Sequence, residues 1–263
     1  LKTIAVVSDL HIASTVALCK PSVDLDDGGT YQISKGQRWL WGNWLDFLER
    51  VEQAKPDILI FNGDTIEGDL KSRSNQLITR NKTNALKIAA DTLDPLCKLA
   101  PARYFIRGTA AHIGKSGSIE EDLAKDLGGT RIDKNYSQWE LFLDVDGVKI
   151  HATHHCSMGT VPWTRKYSAT SLAAKISLEY AMNREYAPHL SVRGHMHRWG
   201  DSYDAYPTRV LMLPGWTIAS EYIHRISPDT LAEIGGAIIR CSAGNLEVEK
   251  IEYKPKGRTW VKI

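Results

Sequence analysis

Short apolar runs recur along the first part of the chain, each closing on glycine or polar residues, with longer amphipathic stretches between them. Residues 3–7 are a continuous run of this kind, the pattern of a strand buried on both faces, and 57–61 and 103–107 read as the second and third strands. Between the first two, Leu40, Trp44, Phe47 and Val51 follow i, i+4, i+7, i+11 spacing. This predicts a helix that starts at Ser34 or Lys35 and stops before Pro56. Residues 75–100 read as largely helical, with Leu86, Ala89, Ala90, Leu93 and Leu96 on one side. Pro95 is expected to kink or restart that helix behind an Asp94 cap. Residues 119–127 form a shorter amphipathic helix stopped by Gly128 and Gly129.

The second half is richer in strands. Asp146-Gly147 between the runs 139–145 and 148–152 is a hairpin signal. Residues 170–187 predict a helix with Leu172, Ile176 and Tyr180 on one stripe, ended by Pro188, and 191–193, 209–213, 236–241 and 246–253 read as strands. No repeat or linker divides the chain, so one domain over residues 1–263 is expected. The polar stretch 13–36, with Asp24, Asp26, Asp27, Gly28 and Gly29, reads as a long loop of the rim or lid type. Trp39, Trp41 and Trp44 fit core packing or a partner surface better than base stacking.

Composition narrows the class. Hydrophobic residues make up 43% of the chain and charged residues 24%, with a formal net charge of +2. These values exclude a disordered chain and a polybasic nucleic-acid binder. No apolar run approaches a membrane span, and Asp9 interrupts the opening stretch where a signal peptide stays apolar. A soluble, cytoplasmic protein without a membrane partner is expected, its oligomeric state open. Cys19, Cys97, Cys156 and Cys241 are scattered, which predicts free thiols rather than a disulfide framework.

The chemistry gathers where apolar runs end. After residue 7 come Asp9 and His11, alternate residues that on extended backbone point the same way. Asn62-Gly63-Asp64 follows the second run, with Glu67 and Asp69 continuing the acidic group, and Gly108-Thr109-Ala110-Ala111-His112 follows the third. Thr153-His154-His155 follows the hairpin, and Val192-Arg193-Gly194-His195-Met196-His197 presents two imidazoles two positions apart. Sheets of buried strands bind ligands at this end, and carboxylates with imidazoles are transition-metal donors.

This order resembles the calcineurin-like metallophosphoesterase family from about residue 3 to about residue 200. The family's blocks are Asp-x-His, Gly-Asp, Gly-Asn-His, a lone histidine after a strand, and Gly-His-x-His; four of the five match. The resemblance implies an α/β fold, a β-sandwich of two mixed sheets flanked by helices in αββα layers. It implies two divalent ions, manganese first with iron, zinc or nickel as alternatives. One would be held by Asp9, His11, Asp64 and His197; the other would share Asp64 and add His154 and His195. A hydroxide bridging the ions would attack phosphorus in line.

One block departs from the pattern. Gly108-Thr109-Ala110-Ala111-His112 lacks the asparagine and displaces the histidine by two residues, so Thr109 offers a hydroxyl to the second ion or water takes that place. This version of the block, with adjacent histidines at 154 and 155, is similar to phage-encoded members. By the resemblance His112 is the general acid, or else supports phosphate. His155 on an extended strand would face away from His154, His151 and His189 read as structural, and Arg107, Arg193 and Arg198 receive no role. The function implied is a phosphodiesterase or nuclease acting on a nucleotide or nucleic-acid phosphoester. The alternatives are a phosphomonoesterase, a phosphoprotein phosphatase, or a non-catalytic scaffold on the same fold. Residues 13–36 and 158–167 are the expected specificity elements.

Overall fold

The computed structural model describes the chain except residues 69–75, 157–161, 227, 258–259 and 262–263. The first of two large sheets takes its strands in the order β13 (Asn245–Tyr253), β12 (Ile234–Ser242), β1 (Lys2–Val7), β4 (Ile58–Asn62), β5 (Ala102–Ile106) and β6 (Ser137–Gln138). From β1 to β6 the strands are parallel, whereas β12 runs antiparallel to both β1 and β13. The second sheet has the order β10 (Gly200–Asp201), β11 (Arg209–Met212), β9 (Leu190–Arg193), β8 (Val148–Thr153), β7 (Glu140–Val145). There β9 lies parallel to β11 and to β8, and the outer pairs are antiparallel.

Alternation along β1 shows how the layers form. Ile4 and Val6 point between the sheets, where they meet Ile60, Ile106, Ile150, Val192 and Leu211. Ala5 and Val7 point the other way, into the core shared with α1 (Lys35–Ala54), α2 (Lys82–Cys97) and α4 (Ser118–Asp126). All four are essentially enclosed, and each large side chain buried in this way contributes roughly 1.5–3 kcal/mol. A third cluster packs Ala169, Ala173 and Ile176 of α5 (Pro162–Met182) on Val210 and Met212. The result is helix, sheet, sheet, helix, as the resemblance implies. No helix among the described residues is long and apolar enough to cross a membrane.

Local signals account for the element ends. Ser34 caps α1 and shares a capping box with Gln37, the stripe Leu40, Trp44, Phe47, Val51 is buried, and Lys55 ends the helix in a left-handed conformation. Trp44 stands edge-on to Trp216 at 4.8 Å, and Trp39 and Trp41 pack at the margin of the same core. Asp146 and Gly147 both have positive φ, 52° and 81°, as a two-residue hairpin requires. All four cysteines are free.

Several expected elements differ. The helix within 75–100 starts only at Lys82, capped by Asn81, and runs through Pro95 to Cys97 without the expected restart behind an Asp94 cap. Proline in the last turn removes one hydrogen bond near a frayed end instead of breaking the helix. The helix expected at 170–187 starts eight residues earlier, at Pro162, and ends at Met182. Proline suits a first helical turn, where its missing N–H has no partner to lose. The stretch 13–36 holds a small hairpin, β2 (Ser22–Asp24) with β3 (Thr30–Gln32), so it is not irregular throughout. Two short helices had no periodic signal, α3 (Ala110–Ile113) and α6 (Glu221–Ile226). Residues 158–161 of the second expected specificity segment and Asp69 lie outside the described residues.

Candidate metal centre

Each strand that bears a candidate ligand stops before reaching it: β1 at Val7, β4 at Asn62, β8 at Thr153 and β9 at Arg193. Asp9, His11, Asp64, His195 and His197 all take positive φ, between 43° and 71°. The expected extended backbone at Asp9 and His11 is therefore corrected. The chain turns sharply at each residue, and it is the turns that make the side chains converge. Such conformations cost roughly 1–2 kcal/mol per residue and persist only where surrounding contacts enforce them. Here cross-links between loops do so: Asp9 N–H donates to Gly63 O, His11 N–H to Asp64 O, Trp216 N–H to Asp9 O and Gly194 N–H to His154 O.

The side chains meet in three overlapping groups, each with donor atoms close enough for one cation: Asp9 with His11 and His197, Asp64 with His154 and His195, and His11 with Asp64 and His112. His11 Nε2 lies 3.2 Å from His197 Nε2, and Asp9 Oδ1 lies 3.3 Å from His197 Nε2 and 3.7 Å from His154 Nε2. Asp64 Oδ2 lies 3.0 Å from His154 Nε2. Asp64 is thus common to two groups. Thr109 turns both its N–H and its hydroxyl to the Asp64 carboxylate, at 2.7 and 3.1 Å. His155, expected to face away from His154, stays beside the cluster because β8 has ended, its ring 5.4 Å from His154 and 5.7 Å from His195. Arg107 is paired with Glu121 and Arg198 with Glu233, so neither stands free for phosphate.

Three supporting residues carried no role in the sequence reading. Glu67 places one carboxylate oxygen 2.8 Å from His11 Nδ1 and the other 2.8 Å from His112 Nδ1. Its place three residues after Asp64 was visible, but which imidazoles it meets depends on the short helix α3. Glu120 is fully enclosed and accepts from Thr65 N–H at 2.9 Å and Gly108 N–H at 2.6 Å, clamping the turns after β4 and β5. Ser8 donates to Asp9 Oδ2 at 2.6 Å. Two glycines complete the cradle. A Cβ at Gly108 would lie 2.0 Å from Asp64 Oδ1, and one at Gly194 would lie 2.1 Å from Ser8 Oγ and 2.9 Å from Asp9 Oδ2.

The electrostatics follow from putting three carboxylates in one enclosed place. Burial favours neutral acids, yet His197, His154 and His11 outweigh it and hold Asp9 well below the usual range; His154 does the same for Asp64. Glu67, buried but bonded to His11 and His112, falls to about 2. Conversely, burial would lower His154, but Asp9 and Asp64 raise it to about 9. The cluster is therefore a strong attractor of positive charge, which protons or cations supply. Glu120 shows the opposite balance: burial and the charge of Asp64 push it up to about 7.

The calcineurin-like phosphoesterase family model matches residues 2–155. The chain belongs to that family. No curated protein matches the sequence. Among solved structures it is similar to a dimetal phosphatase from Danio rerio, at 11% identity over 95% of each chain with a TM-score of 0.48. An archaeal phosphodiesterase shares 13% identity over 95% of this chain and 99% of its own, TM-score 0.45. Entamoeba histolytica Vps29 complexed with zinc shares 10% over 95% and 98%, TM-score 0.44.

The donors of this calcineurin-like phosphoesterase fit a divalent transition ion. Imidazole nitrogens and carboxylate oxygens alternate around the cluster, and His154 Nδ1 and His11 Nδ1 are engaged by Asn62 O and Glu67, which leaves each Nε2 facing inward. Chelator treatment is accordingly expected to lower Tm by about 5 °C or more, since a cation at a hundredfold excess over its dissociation constant contributes about 2.7 kcal/mol. Calorimetry with and without chelator measures this; an unchanged Tm would show that the cluster holds no cation. A second expected result concerns the clamp. Glu120→Gln offers one acceptor oxygen where two N–H groups need one each, so it should lose about 1–3 kcal/mol in urea unfolding. Wild-type stability in that variant would remove Glu120 from the support of the site.

Proposed function

We propose that this chain is a dinuclear metal-dependent phosphoesterase that cleaves a phosphodiester of a nucleotide or nucleic acid, working as one domain over residues 1–263. Asp9, His11, Asp64 and His197 would hold one divalent ion. Asp64, His154 and His195 would hold the other, with Thr109 or a water in place of the family's asparagine. Manganese is the first choice, with iron, zinc or nickel as alternatives. Such ions, when bound, neutralise phosphoryl oxygens and lower the pKa of a water that serves as nucleophile.

The chain's own groups do the rest. Glu67, ionised, makes Nδ1 the donor nitrogen of both His11 and His112. His11 is thereby left with Nε2 for the cation. His112 is left with Nε2 for the oxygen that departs from phosphorus, the position of a general acid. The Glu67–His112 pair is the observation that carries the hydrolase reading over a scaffold, because binding alone does not require an oriented imidazole at the edge of the cluster. The test is hydrolysis of bis-p-nitrophenyl phosphate and p-nitrophenyl phosphate by manganese-loaded protein, with and without chelator. Preferential, chelator-sensitive cleavage of the diester is expected. Monoester preference would redirect the reading to a phosphomonoesterase or phosphoprotein phosphatase, and inertness toward both to a scaffold.

A further inference from the structure

The outer face of the second sheet, away from the intersheet core, carries polar side chains beside α5 that the metal centre does not use. His151 of β8 and Ser191 of β9 are register partners, and Arg193 lies two residues beyond Ser191 on the same face. Ser191 is fully enclosed, and His151 and Arg193 are each 8% exposed. Among the described residues, Ser191 Oγ, Arg193 Nε and both ring nitrogens of His151 have no hydrogen-bond partner. The carboxylate near them, Glu140 of β7, stands 3.4 Å from His151 Nε2 with its side chain 61% exposed, and it acts on Arg193 only through space.

An enclosed guanidinium Nε–H without an acceptor is unfavourable, and an enclosed hydroxyl without a partner adds to the cost. Natural proteins leave few such groups, and here they share one face of two adjacent strands. A planar N–H fork beside a hydroxyl and an imidazole is donor chemistry for a tetrahedral oxyanion. A groove of about 420 Å³ lies beside them, lined by Phe142, Asp144, Lys149, Tyr180, Glu185 and Tyr186, among others, and none of the three residues themselves lines it. Phe142 stacks on His151 at 4.5 Å, and Tyr180 lines the groove while lying within the field of Arg193.

We propose that Arg193, Ser191 and His151 bind a phosphate-type oxyanion at a site separate from the metal centre. The anion supplies the counter-charge that Arg193 lacks and accepts from Nε–H and from the Ser191 hydroxyl. The enclosure beside α5 suits a small ion or a single phosphate group rather than an extended surface. The site does not depend on the phosphoesterase reading.

Thermal unfolding of the metal-loaded full chain in rising inorganic phosphate tests it. Wild-type Tm should rise by about 5 °C at a hundredfold excess over the dissociation constant. Arg193→Met should lose most of that rise while keeping its metal content, and without phosphate its Tm should not fall, since an unpaired buried charge has been removed. Ser191→Ala should retain a reduced rise. Phosphate bound at the metal centre is common to all three proteins and cancels in the comparison. The His151 ring resonance gives a second readout: burial and Arg193 hold its pKa down at about 4, and a bound anion should raise it. Repeating the titration with adenosine monophosphate distinguishes sources, because a response that again needs Arg193 admits a nucleotide phosphate, whereas none restricts the site to the free ion. An equal rise in wild type and Arg193→Met, or no rise in either, overturns the proposal. Should Arg193→Met not fold, Ser191→Ala and the His151 resonance decide by the same comparison.

Discussion

Asp64→Asn should abolish phosphoester hydrolysis and strip metal from both halves of the cluster. The Asp64 carboxylate belongs to the group with His154 and His195 and also to the group with His11 and His112, so a single neutralisation weakens both. Removing one charged partner from a buried cluster costs about 3–5 kcal/mol, which corresponds to about 10²–10⁴ in cation affinity. Asparagine also offers one acceptor oxygen where aspartate offers two. Thr109 donates N–H to Asp64 Oδ1 and O–H to the same carboxylate; asparagine keeps one oxygen for the N–H, but its NH₂ has no lone pair to accept the hydroxyl. His11 is also common to two groups, but no histidine change removes a negative charge, so each should be milder. Metal analysis beside activity measures the effect; full metal content with most of the rate retained would show that Asp64 is not the shared ligand.

The other large effect is expected at His112, and it should depend on the substrate. For p-nitrophenolate, a weak base that departs unassisted, His112→Ala should change the rate little. For a ribose or alkyl alkoxide, which must be protonated as its bond breaks, the loss should approach about 10²–10⁴. The structure sharpens this contrast, because Glu67 fixes His112 through Nδ1 and because His112 also lies within reach of His11 and Asp64. That second fact makes metal content decisive. Unchanged metal with a leaving-group-dependent loss identifies the acid, a uniform loss identifies a phosphate-binding group, and lost metal identifies a ligand in place of the absent asparagine.

Much of this was legible in the order of residues. Short apolar segments placed β1, β4 and β5 because strands covered on both faces are built mainly from apolar residues, and those segments ended within a residue or two of where the strands end. The α1 stripe and its Ser34 cap were equally plain, since both depend on neighbours a few residues apart. The residues that cluster as candidate ligands could be named for the same reason: each follows its strand directly. The helix boundaries around Pro95 and Pro162 could not, because proline is tolerated or excluded according to its place in a helix already fixed by packing.

The sequence by itself determined which residues stand at the carboxyl ends of the strands, and hence the carboxylates and imidazoles of the centre. Tertiary structure decided how they meet. Asp9, His11, Asp64, His195 and His197 occupy left-handed conformations that isolated residues avoid, and only the cross-links between loops hold them there. The joint hold of Glu67 on His11 and His112, the Glu120 clamp across two turns, and the unpartnered row of His151, Ser191 and Arg193 all join residues far apart in the chain. No local period encodes such pairings, because they arise from where two sheets and their covering helices bring distant segments together.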